Sequence, residues 1–469
     1  MLGLSKINAY FCSQIILIMH VIYQTVKPFN KLLKPQKVKK GEEYRPMYYV
    51  VEQPVDEGLL LYHTMTKAML LLTPEEAEVY KTHPTDLPQL IEQWFLVPQS
   101  HDDRLLSRQI RDVARMLEKK TDAITSYTIL TTTDCNARCF YCYEMGRPRV
   151  NMNKETAEKT ADYIINHCQG AKVLLRWFGG EPLYNKTVIT LICNRLKEAG
   201  VDYSSNMTSN GYLFDENTIA EAKELWKLKK VQITLDGTEK TYNHCKAYIY
   251  KNVNAYHRVI GNIHRLQNAD IHVSIRLNID MHNAENLSEL ADELHREFSS
   301  PEGITVYLHM LFEQHNRLST IKDKKNRRYV FSKIREIDTK LKEYGFSKNE
   351  QLYSKIKTNK CMADNDSSIV IVPNGHIGKC EHYSEDHFIG HLLQKERNQE
   401  LLESFRETRD EIKACTTCIL YPNCIWLKLC EDKPHCYEEE RKYRQWKIKQ
   451  SISRIYQKYH NKEQNELQD

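Results

Sequence analysis

The chain has no uninterrupted apolar run long enough to cross a bilayer. Phe11 to Tyr23 comes nearest, but Ser13, Gln14 and His20 break it, and a spanning helix needs about 20 apolar residues. It also has no basic start with a small-residue cleavage site of the kind a secretory signal needs. Charge of one sign is lacking too: the formal net charge is only +5 over 469 residues, which gives no ground for a nucleic-acid partner. The basic runs Lys27 to Lys40 and Lys322 to Arg328 read as solvated loops. These absences favour a cytoplasmic location without a membrane partner. The length exceeds one ordinary core, so two or three domains are expected.

What the chain does have is cysteine, fourteen in all. Disulfides belong to small secreted proteins, and this chain is neither small nor evidently secreted. The grouping says more than the number. Three cysteines fall at 135–142 and seven between Cys361 and Cys436, while Cys12, Cys168, Cys193 and Cys245 stand alone. Grouped thiols in a reducing compartment point to metal clusters; the isolated four read as small hydrophobes.

Taken in order, residues 1–43 form an N-terminal extension that could be disordered. Residues 44–120 read as a small α+β module, either peptide-binding or a cap on the main domain. Tyr48-Tyr-Val-Val-Glu and Gly58 to His63 are strand-like. Thr73-Pro-Glu-Glu carries an N-cap, an N1 proline and early acids; a helix over Leu87 to Trp94 and a strand Phe95-Leu-Val-Pro follow. From residue 121 to 315 strand-like runs begin near Thr125, Lys172, Tyr203, Val231, His272 and Thr305. Helix-like segments separate them, among them Lys154 to His167, Asp215 to Leu228 and Ala284 to Phe298, with Asn153 and Asp215 as N-caps. Such alternation implies an α/β fold with a parallel sheet, doubly wound or barrel-like, whose chemistry sits at the C-terminal strand ends.

Those ends carry the informative residues. After the first strand comes Cys135-x3-Cys139-x2-Cys142. Soft thiolates suit iron–sulfur or zinc, and three ligands leave one position open; a structural zinc site, the competing reading, would want a fourth. After the second strand comes Gly179-Gly180-Glu181-Pro182, where glycines let backbone approach a ligand and the carboxylate can accept from an ammonium group. Thr208-Ser209-Asn210-Gly211 and Asp236-Gly237 end the third and fourth strands; the fifth carries Arg276 and Asn278.

The cysteine spacing, with Tyr141 before the last cysteine, resembles the signature of the radical S-adenosylmethionine (radical SAM) enzymes, and Gly179 to Pro182 resembles their second motif. The likeness covers residues 124 to 312 and implies a partial (β/α)6 TIM-like barrel. It implies a [4Fe–4S] cluster on Cys135, Cys139 and Cys142, with S-adenosylmethionine on the open iron. Reductive cleavage would give a 5′-deoxyadenosyl radical that abstracts a substrate hydrogen, so a reducing electron donor is also implied. Tyr141, Gly179, Gly180, Glu181, Pro182, Ser209, Asn210 and Arg276 are the implied cofactor-binding residues. One departure stands out: relatives often carry an arginine where this chain has Lys246, and lysine lacks the bidentate fork.

After a helical linker (316–360), residues 361–437 resemble the SPASM extension of radical SAM enzymes that modify peptides and proteins. By that resemblance Cys415, Cys418, Cys424 and Cys436 would hold one auxiliary [4Fe–4S] cluster, and Cys361, Cys380 and Cys430 the other, with an open iron or a non-cysteine fourth ligand; one auxiliary cluster or two fit this pattern. The five residues between Cys424 and Cys430 depart from the usual three. Asp364, Asp366 and Ser367 occupy the region where sulfatase-maturating members have an extra cysteine. Glu381 falls where those members carry an acidic base, although a surface glutamate is the blander reading. His376, His382, His387 and His391 read as loop residues. A helix from Tyr437 to about Tyr459, with a stripe of Tyr443, Trp446, Ile448, Ile452 and Ile455, should pack on the barrel within a C-terminal segment (438–469) whose last residues fray.

These features favour an enzyme that modifies a peptide or protein, as in maturases that crosslink ribosomally made peptides through thioether or carbon–carbon bonds. An anaerobic sulfatase-maturating, formylglycine-forming enzyme is the alternative. A non-catalytic iron–sulfur electron carrier is the second alternative, disfavoured because it has no need of the Gly179 to Pro182 motif.

Overall fold

A computed structural model describes residues 20–23, 33–117, 121–311, 323–347, 352, 357–382, 385–430 and 436–466. At its centre β7 (Ser126–Thr132), β8 (Val173–Gly179), β9 (Tyr203–Ser209), β10 (Leu228–Leu235), β11 (His272–Ile279) and β12 (Ile304–Met310) lie side by side in chain order. All five neighbouring pairs are parallel. Between them run helices that include Lys154–His167, Lys186–Glu198, Glu216–Glu224, Ala255–Asn268 and Ala284–Glu297. A strand order that never reverses puts every crossover on the same side of the sheet. The doubly wound option is thereby excluded in favour of the partial barrel.

The strands alternate in burial, which a parallel sheet covered on both faces would not do. On β8, Val173, Leu175 and Trp177 are fully buried among the helices, whereas Leu174, Arg176 and Phe178 between them are only half-buried. Asn206, Gln232, Thr234, Arg276 and Tyr307 hold equivalent half-buried positions on the next strands. The inner face is therefore polar and open, while the core lies under the helices, where Ile164, Ile189, Ile263 and Leu290 are fully buried. Helix starts follow the expected caps: Asn153 and Asp215 accept from the amides of Thr156 and Thr218 at 2.8 and 2.7 Å.

The N-terminal part is a four-stranded antiparallel sheet in the order β1 (His20–Tyr23), β5 (Met69–Leu72), β4 (Gly58–His63), β3 (Val50–Val55), beside a two-stranded pair, β2 (Tyr44–Pro46) and β6 (Leu96–Pro98). Thr73 caps α1 (Pro74–Thr82) through a reciprocal capping box with Glu76. The helix expected over Leu87 to Trp94 is the shorter α2 (Pro88–Glu92). The unit ends in an amphipathic helix, α3 (Asp103–Leu117). His20–Tyr23 is strand rather than disordered extension; the other residues before 33 lie outside the described residues, as does Cys12.

The C-terminal part continues the barrel. β13 (Ser368–Ile371) pairs in parallel with β7, and β14 (His376–Gly378) and β15 (Gly390–His391) follow antiparallel. The expected loop at Lys322 to Arg328 is largely helical: Lys324–Glu343 begins on the Asp323 cap, and Arg327 pairs with Glu439 at 3.1 Å. Of the other basic run, residues 33 to 40 form no regular element. The last helix runs through Glu438–Glu466, past the expected fraying point. Ile448, Ile452, Ile455 and Tyr456 pack with Val51, Leu60, Tyr62 and Met69 of the N-terminal sheet, while Tyr443, earlier on the same stripe, packs on the barrel core and against Phe331 of Lys324–Glu343 as expected. Among the described residues, no helix is long and apolar enough to cross a membrane.

Candidate functional site

The loop after β7 sits over the C-terminal mouth of the barrel. Turns bond Cys142 N to Cys139 O and Met145 N to Cys142 O, both at 3.1 Å. Amides and amides' side-chain counterparts point at sulfur: Ala137 N lies 3.4 Å and Asn210 Nδ2 3.7 Å from Cys135 Sγ. The three thiols are close enough to influence one another. Burial first, then Glu181, pushes Cys135 up to about 12, and burial pushes Cys142 up to about 11. Burial also raises Cys139, opposed by the Lys246 charge. Such thiols ionise only with the help of a metal's own charge. Among the described residues, no three His, Cys, Asp or Glu side chains close around a single ion. Three soft thiolate donors suit a four-iron cluster, which takes its thiolates on separate irons, and are one short of the four a structural zinc wants.

The second motif does something the sequence did not suggest. A Cβ on Gly179, whose φ is +122°, would stand 2.1 Å from Thr132 O, and one on Gly180 2.2 Å from Asp134 O. The glycines thus let β8 close against the cluster loop, fastened by Gly180 N to Thr132 O and Glu181 N to Asp134 O at 2.9 Å. Glu181 is fully buried, and burial lifts its pKa to about 7 against the bonds it accepts. Those bonds come from Ser209 Oγ (2.8 Å), Asn210 N (2.7 Å) and Leu183 N (3.1 Å). Glu181 therefore ties the second strand end to the third, with Ser209 and Asn210 as its partners, instead of presenting a free carboxylate. Pro182 is buried in the turn behind it, its carbonyl accepting from Thr131 Oγ1 at 3.1 Å.

Tyr141 lies in a buried polar chain across the mouth. Its hydroxyl donates to Asp236 Oδ2 at 2.6 Å and accepts from Lys246 Nζ at 2.9 Å; Lys246 pairs with Asp236 at 3.1 Å. Burial would lower the Lys246 pKa, yet Asp236, Tyr141 and Cys139 more than offset it and hold the ammonium charged. Asn278 donates to the other Asp236 oxygen at 3.1 Å and accepts from Arg276 Nε at 2.9 Å; Arg276 reaches His309 at 2.9 Å. The lysine standing for arginine makes a point contact to one carboxylate oxygen, and Arg138 N bonds its carbonyl at 2.8 Å. Arg276 holds a half-buried position on β11.

The late cysteines lie in two places. Cys361, Cys380 and Cys430 line a cavity of about 480 Å³ together with Arg176 of β8, Glu381 and His382. Asp364 is taken up by the amides of Lys360 and Cys361, and Asp366 by Arg406. Glu381 is close enough to Tyr143 to raise its pKa after burial, and the His382 ring stands 4.3 Å from the Tyr143 ring. Tyr143 follows Cys142 directly, so it joins the first cysteine loop to the second cysteine group. Tyr143 and Arg176 escaped the sequence reading; the only available signal was that aromatic next to the third cysteine. The other histidines are loop and ring contacts, as when His376 stacks on Phe388 at 4.7 Å. Cys415, Cys418, Cys424 and Cys436 line a separate cavity of about 190 Å³ against α3. Cys168, Cys193 and Cys245 are buried free thiols.

A partial barrel with a three-cysteine loop over its mouth defines the class. Residues 129–296 match the model of the Radical SAM superfamily, and the chain carries a radical SAM domain, a class that works with a [4Fe–4S] cluster and S-adenosylmethionine. Curated relatives include a "Probable GTP 3',8-cyclase" of Methanocaldococcus jannaschii, 31% identical over 26% of this chain and 39% of that protein. The chain spans about two fifths of the length of the curated relatives it matches. Among solved structures, anSMEcpe with bound AdoMet aligns at a TM-score of 0.56 and 13% identity, covering 72% of this chain and 96% of that one. The same protein with AdoMet and a Cp18Cys peptide aligns at 0.52 and 14% identity, covering 72% and 99%. At such identities the likeness is one of fold.

Proposed function

We propose that this radical SAM enzyme modifies a peptide or protein, crosslinking it through thioether or carbon–carbon bonds. When bound, the cluster and S-adenosylmethionine supply a 5′-deoxyadenosyl radical for hydrogen abstraction. Cys135, Cys139 and Cys142 hold that cluster. Glu181, Ser209 and Asn210 fix the strand ends beside it, while Tyr141 and Arg276 line the mouth through the Asp236 chain. Cys361, Cys380 and Cys430 hold one auxiliary cluster, and Cys415, Cys418, Cys424 and Cys436 another. Glu381, in the cavity of Cys361, Cys380 and Cys430, is the proposed base.

One observation carries the reading: the Tyr143–His382 contact sets the first auxiliary cysteine cavity against the cluster loop. A cluster held by Cys361, Cys380 and Cys430 would supply an electron acceptor beside the cluster loop, which an oxidative crosslink requires and an isomerising cyclisation does not. The fold shared with a peptide-bound structure supports the same substrate class. The division at residues 44–120, 121–315, 316–360 and 361–437 belongs to this proposal, as do a leader-binding role for the first of these units, a cytoplasmic location and an external reductant.

The test is anaerobic reconstitution with iron, sulfide, S-adenosylmethionine and dithionite. Formation of 5′-deoxyadenosine is expected, and its absence overturns the radical reading. Offered peptides encoded beside the gene, the enzyme should leave a product two mass units lighter per crosslink. Turnover of GTP instead would move the assignment to a nucleotide cyclase, and loss of a cysteine thiol to an aldehyde would move it to formylglycine formation.

A further inference from the structure

The smaller cysteine cavity is walled by positive charge. Arg108, Arg111 and Arg115 are spaced three and four residues apart on α3, hence on one helix face, and all three line the cavity. Arg409 enters from the preceding loop, Arg441 and Arg444 from the last helix. Among the described lining residues, Asp112, Asp410 and Glu411 are the acids that oppose these six. Glu411 is already engaged, by Arg104 at 3.1 Å, by Arg108 at 3.9 Å and by the Tyr421 hydroxyl. Two arginines are fixed on the cysteines themselves. Arg111 Nη1 donates to Cys424 O at 3.1 Å, and Arg441 Nη1 donates to Cys436 O at 2.9 Å and reaches Cys436 Sγ at 3.3 Å. Arg111 Nε is buried there without an acceptor among the described residues.

We propose that Arg111 and Arg441 are positioning residues that raise the reduction potential of the iron–sulfur cluster held by Cys415, Cys418, Cys424 and Cys436. The inference rests on the ligand assignment made above. Taking up one electron adds one negative charge to a cluster whose four thiolates already make it anionic. Fixed positive charge and donors aimed at sulfur favour the more negative state. Because Arg111 belongs to the N-terminal unit, the potential also reports whether α3 is seated on the cavity.

The test is a potentiometric titration of the anaerobically reconstituted full chain with dithionite, followed by electron paramagnetic resonance. The signal lost in Cys418→Ala identifies the cluster. If that variant loses neither iron nor a signal, the ligand assignment fails and the potential proposal falls with it. If the signal is identified, Arg111→Gln and Arg441→Gln should each shift the reduced-to-oxidised ratio at fixed potential about tenfold toward oxidised, about 59 mV for one electron. Arg111→Lys, which keeps the charge, should shift it by less than about threefold, roughly half that voltage. Glutamine variants that titrate with the wild type overturn the proposal while the ligand assignment stands. Partial iron loss does not hide the outcome, since the signal comes only from loaded chains.

Discussion

The two cysteine regions are built by opposite means. The first, Cys135 to Cys142, hangs on strand ends of one sheet and is held by neighbours that are themselves buried: Glu181, Asp236 and Lys246. The second, from Cys361 to Cys436, sits on turns and short 3₁₀ segments, and its walls come from α3, β8 and the last helix. Rigid elements position a reactive group within narrow tolerances. Turns pinned from several directions leave a site dependent on how its surrounding units dock. The contrast suits a fixed radical-generating centre beside auxiliary centres whose surroundings can be retuned.

Substitutions should expose that contrast in graded steps. Cys139→Ala should abolish 5′-deoxyadenosine formation while leaving most auxiliary-cluster absorption; loss of all iron absorption together would show that the two regions are not independent. Lys246→Met leaves Asp236 as a buried unpaired charge, and removing one partner of such a pair costs about 3–5 kcal/mol. Thermal unfolding should report that loss, and a stability unchanged from wild type would show that the Asp236 chain does not hold the loop. Gly180→Ala drives a Cβ onto Asp134 O and should cost roughly 2–4 kcal/mol through local strain, read in the same experiment.

Two smaller effects test the far side of the comparison. His63 lies buried in the N-terminal sheet, and burial lowers its pKa from 6.5 to about 3. Its folded pKa is depressed, so its neutral form contributes stability fully above pH 6.5, and that contribution is lost as pH falls toward about 3. His63→Gln should flatten the acid limb of the stability profile between these values; an identical limb would assign acid sensitivity elsewhere. Arg406→Ala removes exposed pairs with Asp366 and Glu403 near the late cysteines and should cost only about 0.2–1 kcal/mol. A larger loss would show that this loop is pinned as tightly as the first.

Where local physics decides, the sequence was readable. The helix over Lys154–His167, the caps at Thr73, Asn153 and Asp215, and the βα alternation all follow from periodicity and capping. The cluster loop was equally legible, since three thiols at close spacing have few structural uses. What was missed depends on distant pairing. Met69–Leu72 is strand because it lies between β1 and β4, and Ser368–Ile371 joins β7 across more than half the chain. From sequence a carboxylate beside two glycines looks open; only the folded strand ends show that the Glu181 oxygens also accept from Ser209 and Asn210. Lys246 could be flagged as a departure, but its pairing with Asp236 and Tyr141 needs the turn of the helix that carries it.

The last helix lies on the first sheet, where Ile452 and Tyr456 cover Leu60 and Tyr62, and Thr64 is bonded by Ile419 and Asn423 from near the other terminus. During synthesis this sheet must therefore wait, with an apolar face uncovered, until residues 448–456 have left the ribosome about 400 residues later. Contacts of such sequence separation form late, and an uncovered face invites association in the interval. Covering that face is thus a late step, and chains cut short before residue 448 should be captured by chaperones there.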